Sequence, residues 1–162
     1  MLNRSLLGLS LAGAVLASAA LAQAASKHHF SVTVKESVIS ESSNYPSPGS
    51  KALRAGIVTG TFGDGAIVEN IRITGHPTPT SVTFKGTTTA FYSRGTFRSV
   101  LTGIATVQAN GSVSLAGHGH YIGGSAAYRG AHGRYSFTGM IPPSTPNRPA
   151  PLLGHVSGTI SY

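Results

Sequence analysis

Apolar and polar side chains alternate along most of the chain beyond residue 29, which is the pattern of β-strands that bury one face. In the segment 30–39, Phe30, Val32 and Val34 fall on one side, and the residues between them are polar. Branched Val, Ile and Thr side chains are abundant, and they fit a pleated sheet better than a helix. The predicted strands are 30–39, 52–62, 66–74, 81–85, 97–108, 112–122, 134–140 and 155–162, with 88–92 as a further short one.

Turn sequences separate these strands. The segments 63–65 (GDG) and 110–111 (NG) predict hairpins, because their residues tolerate the left-handed backbone of tight turns. Two proline-containing segments, 41–50 and 141–153, cannot pair as central strands and are predicted as loops. The pattern predicts an all-β domain, either an antiparallel eight-stranded barrel or a β-sandwich. The barrel is favoured, because closure removes strand edges that few charges could protect.

The first 24 residues have the pattern of a secretory signal peptide. Arg4 precedes the apolar run 6–16, and small residues follow it as far as Ala24. An uncleaved membrane anchor is the alternative, but the apolar segment is at the short limit for a membrane span and contains glycine and serine. We therefore predict a secreted or periplasmic protein in which residues 25–162 form a single barrel domain.

The composition narrows the chemistry that this domain can perform. Because the 162 residues include no cysteine, disulfides and thiolate metal sites are excluded. The net charge of +8 would attract an exported protein to anionic envelope surfaces. Nucleic acid is not expected as a partner, because the basic residues are scattered and no nucleic-acid-binding motif accompanies them.

Two of the four acidic residues fall in the apolar phase of their strands. Glu36 shares the parity of Val34, and Glu69 shares that of Ile71. A carboxyl group inside an apolar barrel is paired, protonated or functional, because burial of an isolated charge is costly. We therefore predict Glu36 and Glu69 as catalytic acid–base residues. A β-bulge that reverses the parity would instead place either side chain in solvent.

His118 and His120 are two residues apart, so both imidazole rings fall on one face of a strand. No third ligand follows them, and the other residues of that parity are small or polar, which favours a solvent-exposed pair. The glycine-rich segment 123–133 is not followed by a helical pattern, so it is not predicted to bind a nucleotide. The sequence predicts no metal and no cofactor.

The segment 123–133 (GGSAAYRGAHG) resembles the glycine-rich run of dirigent proteins and allene oxide cyclase-like barrels. As in that group, a strand follows (RYSFTG), and a Gly-Thr-Ile strand from Gly158 lies near the end of the chain. Ser125 and Ala126 stand where the family usually has Thr and Gly. The glycines permit a tight crossing between strands, and Tyr128 can plug the barrel end. The resemblance implies an eight-stranded barrel around an apolar cavity, often in a homo-oligomer.

The resemblance also implies site residues. Glu36 and Pro46 match the glutamate and proline at the cavity mouth of plant allene oxide cyclases, whereas Val38 stands where those enzymes have an asparagine. Dirigent proteins hold reactive intermediates with acidic and polar cavity groups, and Tyr121 and Tyr135 could join the two acids in that role. Whether a reaction is catalysed is left open, because no nucleophile and base pair is evident.

Two functions of different classes therefore fit the sequence. The first is binding of a small apolar ligand in the barrel cavity, with cyclase-like or dirigent-like assistance to a reaction. The second is a non-catalytic envelope module that binds anionic surfaces through its basic exterior. A hollow interior with Glu36 or Glu69 on its wall favours the first function, and an interior filled by aromatic rings favours the second.

Overall fold

The computed structural model describes residues 26–143 and 150–162. The predicted signal peptide, residues 1–24, and positions 144–149 of the predicted proline-rich loop lie outside the described residues. One 3₁₀ helix, Ala126–Tyr128, interrupts an otherwise all-β chain, and no helix in the described ranges is long and apolar enough to cross a membrane. The strands are β1 Lys27–Glu41, β2 Lys51–Gly60, β3 Gly65–Thr78, β4 Ser81–Tyr92, β5 Gly95–Val107, β6 Val113–Gly124, β7 His132–Ile141 and β8 Leu152–Ser161.

The eight strands form a closed antiparallel barrel in which each strand pairs with the next and β8 pairs with β1. Val34 illustrates the closure, because it lies opposite Val58 of β2 on one side and Gly154 of β8 on the other. The predicted barrel is thus confirmed, and the alternative β-sandwich is wrong. In a closed barrel, the backbone N–H and C=O groups on both edges of every strand can form hydrogen bonds. An open sandwich would leave the outer edges of its edge strands unpaired.

The two predicted strands 81–85 and 88–92 are one continuous strand, β4. Gly86 lies at their junction and stays in register, opposite Ile71 of β3 and Leu101 of β5. A Cβ atom at this position would lie 2.6 Å from the Asn70 carbonyl oxygen, so glycine is needed for close packing of neighbouring strands. The sequence pattern alone had suggested a break in the strand here.

Side chains that point into the barrel follow the predicted alternation. On β1, Phe30, Val32, Val34 and Glu36 are buried, and the residues between them are exposed. At the end of the barrel that holds the 61–64 turn, aromatic rings fill the interior. We call this group the aromatic plug: Phe30, Phe62, Tyr92, Phe97, Tyr128 and Tyr162.

Tyr128 lies at the centre of the aromatic plug, as the sequence predicts. Its ring centroid is 4.1 Å from that of Phe97, and its side chain is 1% exposed. The adjacent glycine-rich crossing uses positive φ angles at Gly123, Gly130 and Gly133. These conformations are accessible to glycine, so the crossing can fold the 3₁₀ helix back over the end of the barrel.

Beyond the aromatic plug, inward-facing glycines make room for large rings from neighbouring strands. A Cβ atom at Gly117 would overlap the Phe137 ring and the Thr102 carbonyl, and one at Gly119 would overlap the Tyr135 ring. The rings occupy the volume that side chains at these positions would otherwise fill. The glycines of this barrel therefore set the packing of its interior as well as its turns.

We predict that Gly117→Ala lowers the free energy of unfolding by about 1–3 kcal/mol, because the added methyl group overpacks the wall. Gly154→Ala is the matched control, since it also faces inward but would place Cβ no closer than 3.4 Å to another atom. The control should change stability by less than about 1 kcal/mol. Urea denaturation measures both variants, and equal losses would contradict this account of the inner glycines.

Candidate functional site

A cavity remains inside the barrel between the aromatic plug and the loop that joins β1 to β2. Its volume is about 100 Å³, and most of its wall is apolar. Val34, Ile71 and Leu101 form part of this wall, and Tyr45 and Leu152 lie at the end opposite the plug. Hydrogen bonds between the loop and β3, from Gly49 N to Ile73 O and from Ile73 N to Ser50 O, fix the loop beside the cavity.

One continuous row of polar side chains crosses the apolar wall. Each member lies directly opposite the next on the adjacent strand, so the row runs perpendicular to β2, β3, β4, β5 and β6. We call it the polar row, and its members are Arg54, Glu69, Thr88, Ser99 and Tyr121. All five line the cavity.

Hydrogen bonds link parts of this row. The Thr88 hydroxyl donates to Glu69 Oε1 at 3.0 Å. The hydroxyl oxygens of Ser99 and Tyr135 are 2.9 Å apart and hydrogen-bonded, which connects the row to β7. The wall formed by β8 and the first part of β1 is apolar, with Val32, Val156 and their neighbours. The cavity therefore has a polar band across β2 to β7 and apolar side chains on the rest of its wall.

Glu36 extends the polar region onto β1 and is 1% exposed. Its carboxyl group can share a proton with Glu69. No other N–H or O–H group of a described residue donates to either of its carboxyl oxygens. Burial raises the pKa of Glu36 to about 9, and the charge of Glu69 and the hydrogen bond to it act in the same direction. At neutral pH, Glu36 is therefore protonated, and its hydroxyl group can donate to Glu69.

Glu69 and Arg54 complete the charge balance. Burial raises the pKa of Glu69, whereas hydrogen bonds from Thr88 and Glu36 and the positive charge of Arg54 favour its ionised form. Arg54 is itself buried, and its Nε atom has no hydrogen-bond partner among the described residues. A proton on Glu36 removes the repulsion between the two carboxyl groups, and the positive charge of Arg54 lies beside both of them, so their common burial costs less free energy than burial of isolated charges.

The cavity tyrosines stay protonated at neutral pH. Burial raises the pKa of Tyr121 well above its usual range, and it raises the pKa of Tyr135 to about 12 despite the hydrogen bond with Ser99. Their hydroxyl groups are thus available as hydrogen-bond donors or acceptors and not as bases. Glu36 and Glu69 are therefore the cavity residues that can transfer protons.

Four of the five site residues predicted from the sequence lie on the cavity wall: Glu36, Glu69, Tyr121 and Tyr135. The fifth, Pro46, is exposed and does not line the cavity, although Tyr45 before it does.

Sequence reasoning missed Arg54, Thr88 and Ser99. Arg54 has the parity of Ala52 and Val58 on β2, so the alternation test that identified the two acids would also have found it.

His118 and His120 lie on the outer face of β6 and are exposed, as the sequence predicts. The Nε2 atom of His118 is 3.3 Å from the Thr102 hydroxyl oxygen. Within the described part of the chain, no group of three or more His, Cys, Asp or Glu residues could hold a metal ion.

The protein is thus a closed β-barrel, and the cavity with its buried carboxyl pair is an amphipathic site inside it. No model of a known protein family matches the chain. No curated protein matches it either.

We predict that stability falls as pH rises from about 5 to about 9. Folded Glu36 keeps its proton up to about pH 9, whereas the unfolded chain loses it near pH 4.5. The folded state then binds more protons, so the free energy of unfolding decreases with pH, by at most about 1.4 kcal/mol per pH unit for one proton.

Glu36→Gln should flatten this dependence, because the amide donates to Glu69 at every pH. Glu41→Gln, on an exposed residue of β1, should keep the wild-type slope. Urea denaturation across the pH range measures the slopes. A Glu36→Gln protein as pH-dependent as the wild type would show that Glu36 does not hold the proton.

Proposed function

We propose that the protein binds a small, mainly apolar ligand that carries one hydroxyl or carbonyl group, in the manner of dirigent and allene oxide cyclase-like barrels. The observation that carries this proposal is the polar row that crosses an otherwise apolar cavity wall. An apolar ligand body gains free energy by leaving water, and one polar group of the ligand reaches the row. The glycine-rich segment 123–133 supports the same family assignment by resemblance.

Unpartnered polar atoms in the cavity also support the proposal. A buried polar atom without a hydrogen bond costs about 1–3 kcal/mol, and Arg54 Nε has no partner among the described residues. The Glu36 oxygen that does not carry the proton shared with Glu69 also has no hydrogen-bond partner among the described residues. A ligand hydroxyl can donate to this Glu36 oxygen, and a ligand hydroxyl or carbonyl oxygen can accept from Arg54 Nε, so either bond recovers part of that cost.

The cavity volume limits the size of the ligand. About 100 Å³ is small beside the roughly 300–1,000 Å³ of pockets for drug-sized molecules. A single ring or a short branched chain is the size class that this volume indicates. The aromatic plug closes one end, so the ligand enters from the end where Tyr45 and Leu152 lie.

The chemistry that this site supplies is acid–base assistance. Protonated Glu36 can donate its proton to a ligand oxygen, which leaves Glu36 as a carboxylate, and the positive charge of Arg54 stabilises that carboxylate. The lining of the described cavity contains no histidine or cysteine, so we assign no covalent step. A bound ligand reacts here only if proton transfer to or from its polar group is enough for the reaction.

We further propose that the barrel acts after export, once residues 1–24 are removed. β1 begins at Lys27, just after the predicted cleavage position, so cleavage leaves all eight strands intact. A periplasmic or extracellular location suits a barrel without cysteine, whose stability is independent of the redox state of its surroundings.

The ligand proposal predicts that 4-ethylphenol binds more tightly than ethylbenzene, because only the phenol reaches the polar row. Glu36→Leu should weaken 4-ethylphenol binding by about threefold to tenfold, the free energy of one hydrogen bond, and leave ethylbenzene binding unchanged or stronger. Glu36→Gln keeps the donor and should bind like the wild type. Titration calorimetry measures both probes.

Glu41→Leu is the matched control for that experiment, because Glu41 is an exposed carboxylate on the same strand. It should change the affinity for neither probe. Equal affinities of the wild type for 4-ethylphenol and ethylbenzene would contradict a role for the polar row in binding.

A second prediction tests the cavity itself. Gly154 faces the cavity, and an added Cβ atom there meets only ordinary contacts, so a larger side chain would extend into the empty volume. Gly154→Leu should abolish binding of both probes while the circular dichroism spectrum stays that of the wild type. Gly154→Ala, which fills little of the volume, should retain binding, and probe binding by folded Gly154→Leu would place the ligand site elsewhere.

A further inference from the structure

The outer surface of the barrel carries a second concave region. A cleft of about 510 Å³ crosses the outward faces of β3, β4, β5 and β6. We call it the basic cleft, and its main polar lining residues are Arg72, Lys85, Thr87, Thr102, His118 and His120. These side chains point away from the interior cavity, because they have the opposite parity to the polar row.

Positive charges are direct neighbours at this cleft. Lys51, Arg72 and Lys85 lie opposite one another on three successive strands. On the far side of the cleft, Arg134 of β7 lies opposite His120 and adds a further positive charge. Like charges directly opposite each other on adjacent strands, such as Arg72 and Lys85, are destabilising. An anion between these side chains converts that repulsion into attraction.

The chain has no acidic residue that could neutralise the cleft. Of its four acids, Glu36 and Glu69 line the interior cavity, Glu41 ends β1, and Asp64 lies in the turn before β3. β4, β5 and β6 contain no acid at all. Charge complementarity therefore calls for an external anionic partner.

The geometry favours a linear partner. Arg72, Lys85, Thr102 and His118 lie in one row, each opposite the next. Adjacent strands are about 4.8 Å apart, so the four strands present donors over roughly 14 Å. A polymer with charged groups and hydroxyl groups at regular intervals meets the arginine and lysine first, and then the threonine and histidine. A single small anion would reach only part of this row.

We propose that the basic cleft binds a negatively charged linear polysaccharide that lies across β3 to β6. The alternative of a bilayer surface fits less well, because no large exposed apolar side chain of the described barrel lines the cleft. Threonine hydroxyls and imidazole nitrogens suit the hydroxyl groups of sugars. This site is separate from the interior cavity and independent of its ligand.

Calorimetry with galacturonate oligosaccharides of increasing length tests the proposal. Affinity should rise until the chain spans the cleft, at roughly three or four sugars, and should fall with added salt. The methyl-esterified oligosaccharide, which is uncharged, should not bind. The double variant Arg72→Gln/Lys85→Gln should bind about tenfold more weakly.

Lys27→Gln/Lys35→Gln is the matched control. It removes the same charge from exposed positions on β1, away from the cleft, and should bind like the wild type. Gly154→Leu, which fills the interior cavity, should also bind the oligosaccharide like the wild type. A failure of the proposal for the interior ligand can therefore be told apart from a failure of the polysaccharide proposal.

Three results would overturn the proposal. Equal loss of affinity in the two double variants would mean that only the net charge matters. Binding of galacturonate monomer or inorganic phosphate as tight as that of the longer chains would mean a site for a single anion. Retention on phosphatidylglycerol vesicles that exceeds oligosaccharide binding and depends on Arg72 and Lys85 would mean a membrane surface.

Discussion

Antiparallel pairing of β1 with β8 closes the sheet, with Lys27 opposite Ser161 at one end and Glu36 opposite Leu152 at the other. This pairing gives every strand an inner and an outer face, and it removes the exposed edges on which strands of different molecules would associate. All other features of the protein depend on that division. The interior holds the apolar cavity and the shared proton, and the exterior holds nearly all the positive charge of the described strands.

Charge is segregated by sign in an unusual way. The carboxyl groups of Glu36 and Glu69 are inside, and Arg54 is the basic residue that accompanies them on the cavity wall. Burial costs less than it would for separate ions, because Glu36 holds a proton and the guanidinium of Arg54 lies beside both carboxyl groups. The exterior of β3 to β6 is correspondingly left with bases and without acids. The inner site and the outer cleft are thus two consequences of having few acids and placing two of them inside.

Glycine and aromatic residues decide how much of the interior is empty. The aromatic plug fills one end, while inward-facing Gly117 and Gly119 admit the rings of Phe137 and Tyr135 across the wall. What remains is a narrow cavity of about 100 Å³. The sequence left open whether the interior is hollow or filled by aromatic rings. The barrel has both, a ring-filled end and a hollow region beside it.

The sequence by itself determined the class of fold and the phase of its strands, because a period of two depends only on which neighbours a pleated strand buries. The family resemblance added Tyr135, and the phase was enough to place Glu36, Glu69 and Tyr121 inside the barrel. It could not predict the alignment of Arg54, Glu69, Thr88 and Ser99 into a row, or of Arg72 beside Lys85, since cross-strand register is fixed by pairing between distant segments. The continuity of β4 through Gly86 and the volume of the cavity were likewise decided only in the tertiary structure, where backbone and rings from different strands compete for the same space.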